Sequence, residues 1–190
     1  MEKSVSGDVT ILRSQRKSVS LEINRELRVI VRAPMRMPEA EIRRFLAQKA
    51  DWIEKARERM RARLGSAQTQ PPFTPEELRD LGERMAREFP PRVAVWAGRL
   101  GVTYGRITVR AQHSRWGSCS SRGNLNFNCL LMLCPEEVRD YVIVHELCHR
   151  REMNHSPRFW ALVGSVLPDY ESRRAWLKKN GGSPILRLPK

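Results

Sequence analysis

The sequence predicts an α+β protein, because strand-like segments come before segments with helical spacing. Between residues 8 and 33 apolar side chains recur at every second position, the pattern of half-buried strands. Residues 38–64 instead repeat apolar residues at three- and four-residue intervals, which is typical of an amphipathic helix. A later apolar segment carries His145 and His149, which a helix would place on one face.

The N-terminal segment is expected to form two or three antiparallel strands followed by one long helix. A turn at Asn24-Arg25-Glu26 separates the last two strands, and Ala33-Pro34 ends the last one. Pro38 opens the helix, which extends to about Leu64 and carries arginines on its solvent face. The alternating strand residues are Val9 and Ile11, then Val19, Leu21 and Ile23, then Leu27, Val29 and Val31.

The order of these segments divides the chain into two parts. We assign residues 1–65 to the N-terminal strands and the long helix. Residues 66–73 are polar and proline-containing, so we interpret them as a flexible linker. Residues 74–182 form a second domain that contains both histidines, and residues 183–190 form a loose C-terminal tail.

The second domain begins with a capped helix. Thr74-Pro75-Glu76-Glu77 is a capping box with proline at the first helical position, and the helix should reach Leu100. Pro90-Pro91 is expected to kink or split it. A strand is predicted over residues 104–109.

A hairpin and three short helices complete the predicted order. Residues 114–128 indicate two strands joined by a tight turn at Ser121-Arg122-Gly123-Asn124. Pro135 should begin the helix that carries the two histidines, and Pro157 should begin the next one. Residues 170–180 are expected to form the last helix.

The histidine motif predicts a metal site. In His145-Glu146-Leu147-Cys148-His149 the imidazoles lie one helical turn apart, close enough to bind one ion. The preceding Tyr141-Val142-Ile143-Val144 is apolar, so the helix is buried, and buried histidines without partners are costly. His155 follows six residues after His149 and would supply a third imidazole from the start of the next helix. The simpler alternative is a buried helix whose histidines hydrogen-bond to the backbone.

Three imidazole ligands predict a catalytic zinc site. They leave the fourth tetrahedral position to water, whereas a structural site would be closed by protein ligands. Zinc lowers the pKa of a bound water to roughly 7, and Glu146 is placed to accept its proton. We therefore predict a zinc-dependent hydrolase with Glu146 as its catalytic residue, although other divalent metals such as cobalt, manganese or nickel can occupy such a site.

A peptide substrate would also need alignment and a hydrogen-bond donor for its developing oxyanion. The hairpin at residues 116–128 could present an edge strand to an extended peptide. Candidate donors are Arg115, Asn126, Asn128 and Tyr170. For each, ordinary hydrogen bonding within the fold is the alternative role.

The composition of the chain bears on its binding partners and its cellular location. The net charge of +14 would attract polyanions such as nucleic acid, nucleotides or acidic peptides, although a basic surface also serves solubility alone. The sequence has neither an apolar run long enough to cross a membrane nor an apolar signal stretch, so we expect a cytoplasmic protein. Its cysteines should then be reduced, and Cys148 should be a core thiol. The cysteines are Cys119, Cys129, Cys134 and Cys148.

Several longer segments of the chain resemble those of a known protein family. They are Arg115-Trp116-Gly117-Ser118-Cys119-Ser120, His145-Glu146-Leu147-Cys148-His149, Asn154-His155-Ser156-Pro157-Arg158-Phe159-Trp160 and Leu167-Pro168-Asp169-Tyr170. Together they resemble the YgjP-like metallopeptidase-domain family of predicted metal-dependent hydrolases, which is related to the SprT-like and WLM minimal zincins. Arg16-Lys17-Ser18-Val19 and Ala33-Pro34 extend the resemblance over nearly the whole chain.

The resemblance implies a zincin-like fold, in which a small antiparallel sheet packs on the metal-binding HExxH helix and N-terminal strands are added. It makes residues 74–182 the catalytic domain. By resemblance His145, His149 and His155 are the zinc ligands and Glu146 is the base. His113 departs from the family pattern, where a lysine is expected.

Three functions follow as hypotheses. The first is a zinc metallopeptidase acting on peptides or proteins. The second is a metal-dependent nucleotide pyrophosphohydrolase, as some members of the resembled family are described, but the sequence lacks a phosphate-binding glycine loop or a carboxylate cluster for two metals. The third is a nucleic-acid-associated module with a structural zinc, which would not require Glu146.

Overall fold

In a computed structural model, which describes residues 2–68 and 70–189, the chain forms two compact units that divide after residue 69. The first unit contains β1 (Glu2–Ser6), β2 (Val9–Ser14), β3 (Ser20–Ile23), β4 (Val29–Pro34), α1 (Glu39–Gln48) and α2 (Ala50–Gln68). The second contains α3 (Pro75–Leu100), β5 (Ile107–Arg110), β6 (Gly117–Cys119), β7 (Leu125–Asn128), a 3-10 helix (Cys129–Leu133), α4 (Glu136–Cys148), α5 (Pro157–Val166), α6 (Tyr170–Asn180) and α7 (Gly182–Leu186).

The sheet of the first unit has the strand order β1-β2-β4-β3. The predicted turn lies between β3 and β4, which pair antiparallel. The prediction that the N-terminal strands are all antiparallel is wrong, because β4 inserts between β2 and β3 and pairs with β2 in parallel. Alternation identifies the buried face of a strand but not its neighbour, so the sequence pattern could not show this order.

The predicted long helix is two helices. α1 ends at Gln48 and α2 begins at Ala50, so only Lys49 separates them. Ile42 of α1 and Ile53 of α2 are both buried and pack in one cluster with the sheet residue Val31. α2 then continues to Gln68, so the predicted linker at 66–73 begins as helix.

α3 opens the second unit with the predicted capping box. Glu77 N–H donates to Thr74 Oγ1 at 3.2 Å, and Thr74 N–H donates to Glu77 Oε2 at 2.8 Å. The helix is not split at Pro90-Pro91 and runs on to Leu100. Each proline removes one backbone donor, but Phe89 and Val93 on either side are fully buried and hold this turn against the core.

The sheet of the second unit has the order β5-β7-β6. β6 and β7 form the predicted antiparallel hairpin, whose turn contains Gly123 at φ 82°. β5 pairs with β7 in parallel, so the sheet is mixed and the purely antiparallel prediction needs correction. Leu125 and Phe127 of β7 are fully buried on one face.

The remaining helices follow the predicted order. α4 begins after Pro135 and is largely buried, and Ser156 caps α5 by accepting a hydrogen bond from Phe159 N–H. The C-terminal segment is more ordered than the predicted loose tail, because α7 follows α6 and Leu188 is buried in the core. Arg187 O also accepts a hydrogen bond from Phe73 N–H at 3.1 Å. Within the described residues, the helices are too short or too polar to cross a membrane.

Candidate active site

Three imidazole rings converge at the C-terminal end of α4. His145 lies in its last turn and His149 is its C-cap residue, so their spacing of four places them on one side of the helix. His155 reaches them from the segment that precedes α5. The candidate ligand atoms of the three side chains all lie within 4.8 Å of one another, and Nε2 of His145 is 2.9 Å from Nε2 of His155.

This donor set fits zinc. Imidazole nitrogens at tetrahedral positions around zinc lie about 3.3 Å apart, since each Zn–N bond is about 2.0–2.1 Å. Nδ1 of His149 is 3.0 Å from the Glu152 carbonyl oxygen, a contact that would fix the ring and leave Nε2 for a metal. Nδ1 of His145 is buried and has no hydrogen-bond partner among residues 2–68 and 70–189, so the polar contact of this ring there is made by Nε2, where the rings meet.

The rings are also held in the form that binds metal. Burial lowers the pKa of His145 to about 3, and the nearby charges of His149, His155 and Arg174 act in the same direction. Burial also lowers the pKa of the more exposed His155, again helped by His149 and Arg174. Both imidazoles are therefore neutral at physiological pH, as metal coordination requires. Within residues 2–68 and 70–189, no cysteine or carboxylate joins the cluster.

Glu146 lies beside the histidines and is only 5% exposed. Its side chain packs directly on Gly117 of β6: a Cβ atom at Gly117 would lie 2.6 Å from Oε1 and 2.7 Å from Cγ of Glu146. Burial raises the pKa of Glu146 to about 8, against the opposing charge of Arg115. A carboxyl group with a pKa near neutrality is suited to accepting and returning a proton.

A pocket of about 240 Å³ opens next to His145 and Glu146. Its other walls come from β6 and the residue before it, from α4 and from α6. They are Trp116, Gly117, Tyr141, Val142 and Leu177. The pocket is therefore mostly apolar and can take a side chain of a bound molecule.

Two of the candidate oxyanion donors hold the fold together instead. The Asn128 side chain is fully buried, donates to the carbonyl oxygens of Gln112 and Arg115, and accepts from Leu130 N–H. Asn126 Nδ2 donates to Ser118 Oγ at 3.3 Å. Both asparagines therefore hydrogen-bond within the fold, which was the alternative to a role as oxyanion donor. Their side chains join β7 to β6 and to the segment before it.

The other two candidates lie at the edge of the site. Arg115 is exposed and acts on Glu146 through its charge. Tyr170 stacks on Trp160 with ring centroids 5.5 Å apart, and its hydroxyl makes only a long 3.4 Å hydrogen bond to Glu171. His113 is exposed. Cys148 is fully buried and its pKa is raised to about 12, as expected of a core thiol.

Sequence reasoning missed two residues beside the metal cluster. Trp160, to which the sequence analysis gave no role at the site, stacks on His155 with ring centroids 5.7 Å apart. The guanidinium carbon of Arg174 lies 4.4 Å from the centroid of the Trp160 ring. The quoted segments include Trp160 but not Arg174, and neither contact could be read from them, because α5 and α6 bring both residues to the site by tertiary packing.

An α+β fold that brings an HExxH helix and a third histidine together defines a metallopeptidase-type, metal-dependent hydrolase. Comparison with protein families gives a match to the YgjP-like metallopeptidase domain over residues 17–86 and 76–180. The chain therefore belongs to the YgjP-like metallopeptidase-domain family, as its sequence motifs predicted.

Two solved structures are similar to part of the chain. One is the zymogen of the metallopeptidase abylysin from Pyrococcus abyssi, with 20% identity and a TM-score of 0.44 over 48% of this chain and 93% of that one. The other is the zymogen of the metallopeptidase jannalysin from Methanocaldococcus jannaschii, with 22% identity and a TM-score of 0.40 over 46% of this chain and 89% of that one. Comparison with curated proteins gave no significant match.

Proposed function

We propose that this chain is a zinc peptidase in which His145, His149 and His155 hold the metal and Glu146 is the general base. The convergence of three imidazoles next to a buried carboxyl group is the observation that supports it most directly. When bound, zinc would act as a Lewis acid toward water and the scissile carbonyl. Catalysis is assigned to the second unit, which contains all four residues.

Glu146 would carry the proton through the reaction. Its carboxylate would accept a proton from the attacking water and return it to the amine that leaves when the peptide bond breaks. The contact with Gly117 supports this role because it leaves the side chain little freedom to turn away from the histidines. A fixed base reaches the reacting atoms without a further loss of entropy.

Strand β6 is the proposed platform for the peptide. It is an edge strand, and its inward hydrogen bonds run from Asn128 N–H to Trp116 O and from Ser120 N–H to Asn124 O. Because antiparallel pairing alternates, the backbone groups of Gly117 and Cys119 point to the open edge. An extended peptide paired there would lie beside Glu146, and the apolar pocket would take one of its side chains.

The test compares the wild-type chain with E146Q on casein, each loaded with zinc. Gln keeps the shape of the side chain but cannot accept the proton, so turnover should fall by about 100-fold or more. Zinc content, measured by atomic absorption, should stay at one ion per chain. A chelator should abolish the wild-type activity, and zinc should restore it. If E146Q loses its zinc, or if the wild-type chain cleaves no peptide bond with metal bound, the proposal is wrong.

The nucleotide and nucleic-acid hypotheses gain no support from the comparisons. A two-metal phosphohydrolase would need a second set of ligands, whereas in the part of the chain that the structure describes the metal-binding cluster consists of the three histidines. We therefore propose a peptide or protein substrate.

A further inference from the structure

Two exposed arginines lie at the active site, Arg115 near Glu146 and Arg174 near the histidines. Arg115 precedes β6 and Arg174 lies on α6. Within the described residues, neither guanidinium group makes a hydrogen bond or an ion pair. The neighbouring Arg173, by contrast, pairs with Asp169 at 2.9 Å and donates to Glu137 O.

Arg174 is nevertheless held in place. Its guanidinium carbon lies 4.4 Å from the centroid of Trp160, which stacks on both Tyr170 and His155. Its positive charge contributes to the lowered pKa values of His145 and His155, where burial is the larger cause. The charge is thus fixed on the rim of the metal cluster rather than free in solvent.

Arg174 also shares one face of α6 with a residue that lines the apolar pocket, and we call this pocket and the adjoining metal cluster the cleft. Tyr170, Arg174 and Leu177 are four and three residues apart, so they share one face of the helix. Tyr170 packs at the His155 end of this face, and Leu177 lines the apolar pocket next to Glu146. Arg174 therefore lies on the face of α6 that joins the aromatic stack beside His155 to the pocket beside Glu146.

A cation in this position is unfavourable for the protein alone. It repels the metal ion that the histidines would bind, and among residues 2–68 and 70–189 it forms no ion pair with a carboxylate. A bound anion, by contrast, would be attracted by the charge of Arg174. The planar guanidinium group offers paired N–H donors that match a carboxylate, and stacking on Trp160 limits its rotation.

We propose that the cleft selects peptides with a carboxylate close to the scissile bond, and that Arg174 binds this carboxylate while Arg115 adds to the attraction. The inference rests on the proposed peptidase function and narrows its substrate class. The carboxylate can belong to an Asp or Glu side chain or to the C-terminus of a short peptide, and both present the same chemistry.

Binding experiments separate these sources without requiring turnover. Zinc-loaded E146Q is titrated calorimetrically with short peptides that differ at one site, Glu against Gln, or a free C-terminus against an amide. At least one carboxylate form should bind about threefold to tenfold more tightly than its neutral form. The preference should weaken as salt is raised, since exposed charges are screened.

The variant R174Q in the same E146Q background should lose this preference. K179Q is the matched control: it removes the same charge from an exposed position of the same helix, and it should keep the preference. Equal binding of charged and neutral peptides, or a preference that survives R174Q, would overturn the inference while leaving the peptidase proposal intact. If none of the peptides binds, and casein is not cleaved by the wild-type chain, both proposals fail.

Zinc affinity provides a second test of Arg174. If Arg174 only supported the fold, its substitution would not strengthen zinc binding. Competition with a chelating dye should show that R174Q binds zinc a few-fold more tightly than the wild-type chain, because a like charge has been removed. K179Q should bind zinc as the wild-type chain does. Weaker zinc binding by R174Q would mean that Arg174 supports the fold of the site, and it would overturn the assignment.

Discussion

The two halves of the active site, the helix half on α4 and the loop half before α5, are held in different ways. His145 and Glu146 belong to the buried helix α4 and line the pocket, and His149 is the C-cap residue of the same helix. His155 is exposed and belongs to the connection between α4 and α5, where the ring of Trp160 stacks on it. The helix half therefore depends on core packing, whereas the loop half is an exposed ring that contacts Trp160 and, from one side, the buried Phe159.

Substitutions in the two halves should therefore affect the stability of the fold to different extents. A buried side chain is surrounded by core atoms, so altering it changes both stability and chemistry. An exposed side chain held by stacking can be removed with little effect on the core. Stability and metal affinity should therefore respond together in the helix half and separately in the loop half.

Removal of one histidine from either half, His145 or His155, should have the largest effect. Both H145A and H155A should weaken zinc binding by more than about 100-fold, since even the loss of an outer contact to a metal ligand costs about 10–100-fold. H145A should also destabilise the metal-free chain by about 1–3 kcal/mol, because the lost packing exceeds the relief of its unpaired Nδ1.

The contrast is measured by chelator competition and by thermal unfolding of the metal-free variants. H155A should unfold at nearly the wild-type temperature, because its side chain is exposed. Equal destabilisation by the two substitutions would remove the distinction between the helix half and the loop half.

The next largest effect is expected at the contact between β6 and α4. In G117A the new methyl group would lie 2.6–2.9 Å from atoms of the Glu146 side chain. Glu146 must then shift, and peptide hydrolysis should fall by about 10- to 100-fold, since a displacement near 1 Å can cost about 100-fold in rate. The measurement is kcat/KM on a peptide with zinc bound.

G98A is the control for this substitution. A Cβ atom at Gly98 of α3 meets nothing within 4 Å, so alanine should stabilise the helix slightly and leave activity unchanged. Wild-type activity in G117A would show that the base tolerates a different position.

The helix half was largely predictable from local sequence, and the loop half was not. The four-residue spacing of His145 and His149 and the capping signals at Thr74 and Ser156 depend on neighbours along the chain, and helices form there. The contact of Trp160 with His155 depends on how α5 turns back onto α4, which no local pattern encodes. The same limit explains the parallel pairing of β5 with β7.

Helix breaks were also misjudged for a physical reason. Pro90-Pro91 predicts a kink or a split, and the split is absent because burial of the flanking apolar residues keeps α3 one helix from Pro75 to Leu100. The chain instead breaks at Lys49, which no glycine or proline marks. Local propensity was overruled at both positions by contacts that form only in the folded chain.

A smaller effect concerns pH and the buried carboxyl group of the helix half. The pKa of Glu146 is raised from its ordinary value of 4.5 to about 8. The folded metal-free chain therefore keeps a proton that the unfolded chain releases, so the contribution of Glu146 to stability is complete below about pH 4.5 and is lost as pH rises toward 8. Gln does not titrate, so E146Q should gain in unfolding temperature relative to the wild-type chain between pH 5 and pH 8.

This comparison is made by calorimetry with a chelator present. E171Q removes a carboxylate from an exposed position of the same unit and should show a much smaller dependence on pH. A difference between E146Q and the wild-type chain that stays constant from pH 5 to pH 8 would mean that the Glu146 carboxyl group is not desolvated.

The smallest effect is expected from the aromatic support of the loop half. W160L keeps an apolar side chain but removes the ring that stacks on His155 and carries Arg174. Zinc affinity should fall by about twofold to tenfold, the equivalent of one aromatic contact. W52L is a suitable control because Trp52 is 41% exposed and belongs to the first unit. If W160L binds zinc as tightly as W52L, the backbone between α4 and α5 positions His155 by itself, and the loop half is as rigid as the helix half.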